Sequence, residues 1–319
     1  MKGLFEKTIA YKIISEDKKN GRLSHSYLLS VEDGDLLDEY LKQAAKLIAC
    51  DKEGFDGTCR VCRLIDANMH PDVTFYPKDK KLSVADADDL VEQSVVRPLE
   101  LDKRIFVVSR PETLNQNQNK LLKTVEEPPR NVYVLLGAEK PSAILPTIRS
   151  RAKNIFVPIF SVEELLNITK DEYPDRKRAV AAALMSGGKA GVMDRRYNDE
   201  TTLPLLDVCL AFMSEALSAR DIPAFIARFA PYKNADIIST LIICINEIIR
   251  VKLGASSLIE DERIQSIASA YETGALVAVN EKLCALEKQA YYNGNATMIK
   301  DSALFAVLKE RAKWHRLSE

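Results

Sequence analysis

Short runs of branched and aromatic residues recur five times in the first half of the chain, at residues 26–29, 73–76, 104–109, 132–137 and 154–158. Each is almost continuously apolar, the pattern of strands buried on both faces. Between them apolar positions fall three and four apart, over residues 35–50, 85–97 and 114–127, the spacing of helices with one face on a core. Asp86, Asp88 and Asp89 open the second of these stretches, and Pro128-Pro129 stops the third. Acid at a helix start and proline past its end fit helix termini. Strands alternating with helices predict an α/β fold with a parallel sheet covered on both faces, and ligands in such folds sit at the carboxyl ends of the strands.

From Ser161 onward no strand pattern remains. Alanine-rich and leucine-rich segments, broken at Tyr173-Pro174, Ser186-Gly187-Gly188 and residues 201–204, predict helices alone. The break over residues 198–204 divides a small helical unit from a larger one. The most apolar stretch, residues 237–253, carries Asn246, Glu247, Arg250 and Lys252. That is too polar for the roughly 20 apolar residues of a membrane span and predicts a buried helix.

Composition narrows the functional classes. The 319 residues are 46% hydrophobic and 29% charged with a formal net charge of -1, an ordinary globular mixture long enough for two or three domains. Gripping nucleic acid through bulk positive charge needs a basic domain, so any DNA contact is expected to be local. The opening Met1-Lys2-Gly3-Leu4-Phe5-Glu6-Lys7 interrupts its apolar residues with charge and lacks the core of a secretory signal, which predicts a cytoplasmic protein. Six cysteines are too few for a disulfide scaffold in so long a chain and read as core residues or metal ligands. Cys209, Cys244 and Cys284 sit among apolar residues at helical spacing and are expected to be buried. Trp314, beside Lys313 and Arg316, reads as a tail residue packed on its own domain, with a nucleic-acid contact as the alternative, and Lys78-Asp79-Lys80-Lys81 as a solvated loop.

Four segments, in this order and at these separations, resemble the clamp-loader branch of the AAA+ family. They are Leu23-Ser24-His25-Ser26-Tyr27-Leu28-Leu29; the cysteine cluster followed by His70-Pro71-Asp72; Leu121-Leu122-Lys123-Thr124-Val125-Glu126-Glu127-Pro128-Pro129; and Leu145-Pro146-Thr147-Ile148-Arg149-Ser150-Arg151-Ala152. The last is similar to the family's Ser-Arg-Cys motif, with alanine in place of cysteine. The resemblance covers residues 1 to about 200 and continues faintly at Asn293-Gly294-Asn295, before a final helix. It implies a RecA-like AAA+ module over residues 1–158, a helical lid over 159–200 and a helical collar, or oligomerisation domain, over 201–319.

A working ATP site of this fold needs a glycine-rich loop ending in Gly-Lys-Ser/Thr, whose amides and lysine hold phosphates and whose hydroxyl binds magnesium. Here the first strand runs into Ser30-Val31-Glu32-Asp33-Gly34-Asp35-Leu36-Leu37-Asp38, with one glycine, no lysine and four acids that repel a triphosphate. The strand at residues 104–108 leads into Ser109-Arg110-Pro111-Glu112 where the family expects acids for magnesium and water. Both losses together resemble the delta-prime kind of subunit, which neither binds ATP in the usual way nor hydrolyses it. In the resembled motif, Ser150 and Arg151 supply an arginine finger to the nucleotide of a neighbouring subunit. The bland alternative is that Arg149 and Arg151 are surface charges bordering the last strand.

The family's zinc knuckle maps onto Cys50, Asp56, Cys59 and Cys62, with aspartate at one thiolate position. Zinc accepts carboxylate oxygen as well as thiolate, so the four residues form a candidate structural site, while a loop held by packing alone remains the alternative. His70 is a substitute ligand or a turn residue. The resemblance implies partners in motor subunits and a delta subunit, in a five-membered ring that places a sliding clamp on primer-template DNA. Two rivals stand beside this account: a motor ATPase with an unusual nucleotide loop, and a zinc-containing DNA adaptor outside replication.

Overall fold

The computed structural model describes residues 3–52, 54–291 and 296–318. Asn293-Gly294-Asn295 lies outside the described residues, as does the side chain of His315. The chain forms two compact units, Met1–Phe160 and Ser161–Glu319.

The amino-terminal unit has the expected α/β fold. Its strands are β1 (Ser26–Val31), β2 (Val73–Tyr76), β3 (Arg104–Ser109), β4 (Val132–Ala138) and β5 (Lys153–Val157). All four pairings are parallel, in the order β2-β3-β4-β1-β5. Every residue of β1 and β3 is buried, which is why those strands read as unbroken apolar runs. Ser30 lies beside Ala138 and Ser109 beside Gly137, so β1, β3 and β4 end level with one another. Gly137 lets the following layer come close: a Cβ there would meet Leu41 Cδ1 at 2.6 Å and Leu37 Cδ1 at 2.8 Å, both on α2 (Leu37–Ala49).

Three helices follow the expected ones with shifted ends. α2 starts two residues later than expected, after a turn of 3-10 helix at Gly34–Leu36. α4 (Val84–Ser94) starts at a capping box made by Ser83 and Asp86 and stops before residue 97. Arg97 precedes Pro98, a position where helical backbone is disfavoured. The stretch over residues 114–127 divides into a 3-10 segment, Pro111–Gln118, kinked at Asn115 (φ 52°), and α5 (Asn119–Glu126). Three described helices of this unit arise outside the expected stretches: α1 (Ile9–Lys19), α3 (Arg60–Asp66), which is N-capped by Cys59, and α6 (Pro146–Arg149), which precedes β5.

The carboxy-terminal unit is helical throughout its described residues, with α7 (Val162–Ile168), α8 (Arg176–Ser186), α9 (Ala190–Asn198), α10 (Thr202–Glu215), α11 (Ile222–Phe229), α12 (Asn234–Lys252), α13 (Glu262–Ala270), α14 (Thr273–Tyr291) and α15 (Ala296–Ser318). Its core gathers Phe212, Phe229, Ile237, Leu241 and Ile245 with Cys209 and Cys244. Cys284 departs from expectation, being only half-buried on α14. The break expected over residues 201–204 is shorter, because Pro204 falls within the first turn of α10, where its missing N–H is not needed. Trp314 packs on its own unit: a Cβ on Gly274 would meet its ring at 2.4–2.8 Å. No described helix is long and apolar enough to cross a membrane.

One buried carboxylate links the sheet to the cysteine loop. Asp72, just before β2, has no exposed surface and accepts N–H bonds from Leu99, Glu100 and Leu101 at 2.7, 2.7 and 2.8 Å. Glu100 in turn makes a two-point ion pair with Arg60 at the start of α3. Burial favours the neutral acid, but the three N–H groups outweigh it and hold the Asp72 pKa below its ordinary value. A carboxylate with a depressed folded pKa contributes stability that is whole above its unfolded pKa of about 3.9 and is lost as pH falls through the folded value. Asp72→Asn, which turns an N–H donor toward three others, should cost about 2–3 kcal/mol. It should also flatten that acid limb and speed hydrogen exchange at residues 99–101, measurable by mass spectrometry. Unchanged exchange there would mean the loop is held by other contacts.

Candidate functional site

The carboxyl ends of β1, β3 and β4 are where a parallel sheet takes its ligands. An arginine fills the place. Arg110, immediately after β3, adopts a left-handed backbone (φ 54°, ψ 52°), uncommon for a non-glycine residue, and donates its N–H to Gly137 O at 2.7 Å. Its side chain joins three segments: Nη1 meets Asp38 Oδ2 at 2.8 Å, Nε meets Glu139 Oε1 at 2.6 Å and Nη2 donates to Gly34 O at 3.0 Å. Ser109 Oγ donates to the other oxygen of Asp38. Burial works against the charge on Arg110, yet Asp38 and Glu139 prevail and raise its pKa. Gly34 fits because it has no side chain, since a Cβ would lie 2.6 Å from the Glu139 carboxyl carbon. Glu112 accepts the backbone N–H groups of Glu139 and Lys140 at 3.0 and 3.3 Å.

The segment that resembles the Ser-Arg-Cys motif lies between α6 and β5. Ser150 and Arg151 are exposed. Ser150 Oγ donates to Thr147 O at 3.0 Å. Arg151 Nε pairs with Glu126 Oε1 at 2.7 Å, and Nη1 donates to Thr147 O at 3.2 Å and Ser150 Oγ at 3.4 Å. Ala152, where the family has cysteine, is buried against the sheet core with Ile148. Arg149 is half-buried, with Nε lacking a hydrogen bond. The Leu121-to-Pro129 segment is the last turn of α5 and its stop: Leu121, Thr124 and Val125 face inward, while Lys123, Glu126 and Glu127 are exposed.

The cysteine loop brings together all four candidate ligands. One donor atom each from Cys50, Asp56, Cys59 and Cys62 lies within 4.8 Å of the other three. The Cys50 and Cys59 sulfurs are 3.9 Å apart. A tetrahedral zinc with Zn–S bonds of about 2.3 Å separates its sulfurs by about 3.8 Å, so the donor set fits the ion. Asp56 Oδ1 accepts from the N–H groups of Thr58 and Cys59 at 2.9 and 2.8 Å, and Oδ2 pairs with Lys52 at 2.6 Å. The Lys52 bond, then these N–H groups, push the Asp56 pKa down, so it presents a carboxylate. Burial acts to raise the Cys50 pKa, but the N–H groups of Lys52 and Asp56 and the neighbouring thiols lower it overall. Burial and the Cys59 bond push Cys62 up to about 12. His70 does not join the group. Its Nδ1 accepts the Asp72 N–H at 3.1 Å, the turn role.

Two residues that organise these sites had weak signals in the sequence. Lys18, near the end of α1, donates to the carbonyls of Cys50, Lys52 (2.8 Å) and Gly54 (3.1 Å) and so closes the loop from below. No local spacing marks it, because the contact spans more than thirty positions. Arg110 had a readable clue, a basic residue where the resembled family has acids, in a chain with four acids over residues 32–38.

Residues 6–160 match the family model described as DNA polymerase III, delta subunit. The DNA polymerase III subunit delta' of Bacillus subtilis is 29% identical over 196 residues, covering 59% of this chain and 59% of the relative. That of Pseudomonas aeruginosa is 33% identical over 177 residues, 52% of this chain and 53% of the relative. The matched part therefore spans less than two thirds of either relative. A DNA polymerase III gamma subunit-related protein of Thermotoga maritima overlays 95% of this chain and 99% of its own, at 15% identity and a TM-score of 0.43. Through the sheet-bearing unit and its motifs, residues 6–160 are similar to the delta-prime subunits of DNA polymerase III.

Proposed function

We propose that the chain is a non-hydrolysing subunit of the DNA polymerase III clamp loader, working beside motor subunits and a delta subunit in a five-membered ring that places the sliding clamp on primed DNA. The observation that carries this is Arg110 at the strand ends. A nucleotide site needs backbone amides and a cation directed at phosphates, whereas here the cation is committed to Asp38, Glu139 and Gly34 O. Acids at residues 32, 33, 35 and 38 surround the place with like charge to a triphosphate. Two further parts belong to the proposal. The helices of the second unit serve as a lid over residues 159–200 and a collar over 201–319, and Arg151 acts on the nucleotide of the neighbouring subunit. An arginine suits that task because its planar, permanently charged fork meets charge developing on a phosphoryl group.

The isolated chain should show no saturable binding of magnesium-ATP by calorimetry and no hydrolysis above background. Micromolar, magnesium-dependent binding would favour the motor-subunit rival.

The cysteine loop is proposed to hold a structural zinc through Cys50, Asp56, Cys59 and Cys62. Zinc there would cross-link residues 50 and 62, with no open position for chemistry. Metal analysis of chelator-free protein should find about one equivalent per chain. Asp56→Cys should slow zinc loss to a competing chelator, since thiolate is the softer ligand. Protein that folds without zinc under those conditions would mean that the loop is held by Lys18 and packing alone.

A further inference from the structure

Arg151 does not extend freely into solvent. Its Nε pairs with Glu126 at 2.7 Å, and its Nη1 contacts Thr147 O and Ser150 Oγ at 3.2 and 3.4 Å. Nη2 makes no hydrogen bond among the described residues. A free arginine side chain loses rotamer entropy when it is fixed, and a side chain already held in place has lost most of that before it binds. The side chains of Glu126 and Arg151 are 35% and 44% exposed, so their pairing adds little to the stability of the fold. The backbone that carries Glu126 is nevertheless held in place. It is the last residue of α5, and Pro128-Pro129 follows after Glu127, while the inward residues of that helix, Leu121, Thr124 and Val125, are buried.

We infer that Glu126 is a positioning residue for Arg151: it holds the guanidinium by its Nε so that Nη2 is presented to an anion outside the subunit. The inference rests on the trans-acting role proposed for Arg151 and assigns the last turn of α5 a part in that role. A carboxylate carried on a packed helix end sets the direction of the fork, and the Thr147 carbonyl and Ser150 hydroxyl limit its rotation. The anion is a terminal phosphate of a nucleotide held by the adjacent subunit.

The test is a double-mutant cycle in the assembled complex with motor and delta subunits, clamp and primed DNA. Arg151→Ala should lower kcat for stimulated ATP hydrolysis about tenfold, less than the 10³ or more of a lone arginine finger because other interfaces remain intact. Glu126→Ala should lower kcat about threefold with KM for ATP unchanged. Glu126→Gln keeps an acceptor for Nε and should recover to within about twofold of the unmodified complex. Glu126→Ala on top of Arg151→Ala should cost nothing more, because a residue that acts through another has no effect once that residue is gone. The melting temperature of the isolated chain should be the same for both Glu126 variants. A faster Glu126→Ala complex, or an additive loss in the double variant, overturns the positioning role while leaving Arg151 in place. A silent Arg151→Ala in a fully assembled complex removes the trans-acting role itself, and Glu126 loses its part with it.

Discussion

Arg110 is the contact on which the amino-terminal unit depends at the carboxyl ends of its strands. A parallel sheet ends in loops with charged side chains and unpaired carbonyls, and in a nucleotide-binding protein a bound phosphate satisfies many of these groups. In this chain a single guanidinium does so, joining the loop after β1, the start of α2 and the loop after β4. Hydrogen bonds to charged groups are worth on the order of 1.5–3 kcal/mol when sheltered. At 34% exposure of the Arg110 side chain, solvent screening reduces that. The left-handed backbone at Arg110 is the strain accepted for this arrangement, since such conformations persist only where surrounding contacts fix them.

The same unit holds its other sites through contacts that cross the chain. Asp72 fixes residues 99–101, Glu100 reaches Arg60, and Lys18 closes the loop that carries Cys50. Lys46, nearly buried, adds an ion pair to Asp66 at 2.8 Å and so ties α2 to α3. The cysteine cluster is thus braced from α1, α2 and the β2 edge before any metal is considered. A short loop with two glycines in left-handed conformations, Gly54 and Gly57, would otherwise have little reason to bring four donors together.

Much of this was legible in the amino-acid sequence, and the limits follow from range. The central strands β1, β3 and β4 were readable because they are buried on both faces or nearly so, so their apolar runs needed no partner to interpret; β5, expected as a buried strand, instead lies at the sheet edge with Lys153, Asn154 and Phe156 exposed. The helices after residue 160 were readable from spacing and from glycine and proline breaks. The four cysteine-loop donors were readable from spacing once the family pattern was recognised. The kink at Asn115 was hidden because helical spacing continues across it. Lys18, Asp72 and the Arg151–Glu126 pair were hidden for another reason: their partners lie 25 or more positions away, and nothing in a charged residue's neighbourhood says which distant charge it will meet. Arg110 falls between these cases, since its sign was wrong for a magnesium site and right for the acids around it.

The lack of a nucleotide site proposed above would be shared with many proteins, so the central claim is that this chain acts by joining others. Its most direct test is to mix the purified chain with clamp-loader motor and delta subunits and determine the mass and stoichiometry of what forms by size-exclusion chromatography with light scattering. A five-membered complex containing one copy of the chain, formed only when it is present, is the predicted result. A chain that stays monomeric beside an assembled set of the other subunits would contradict the account.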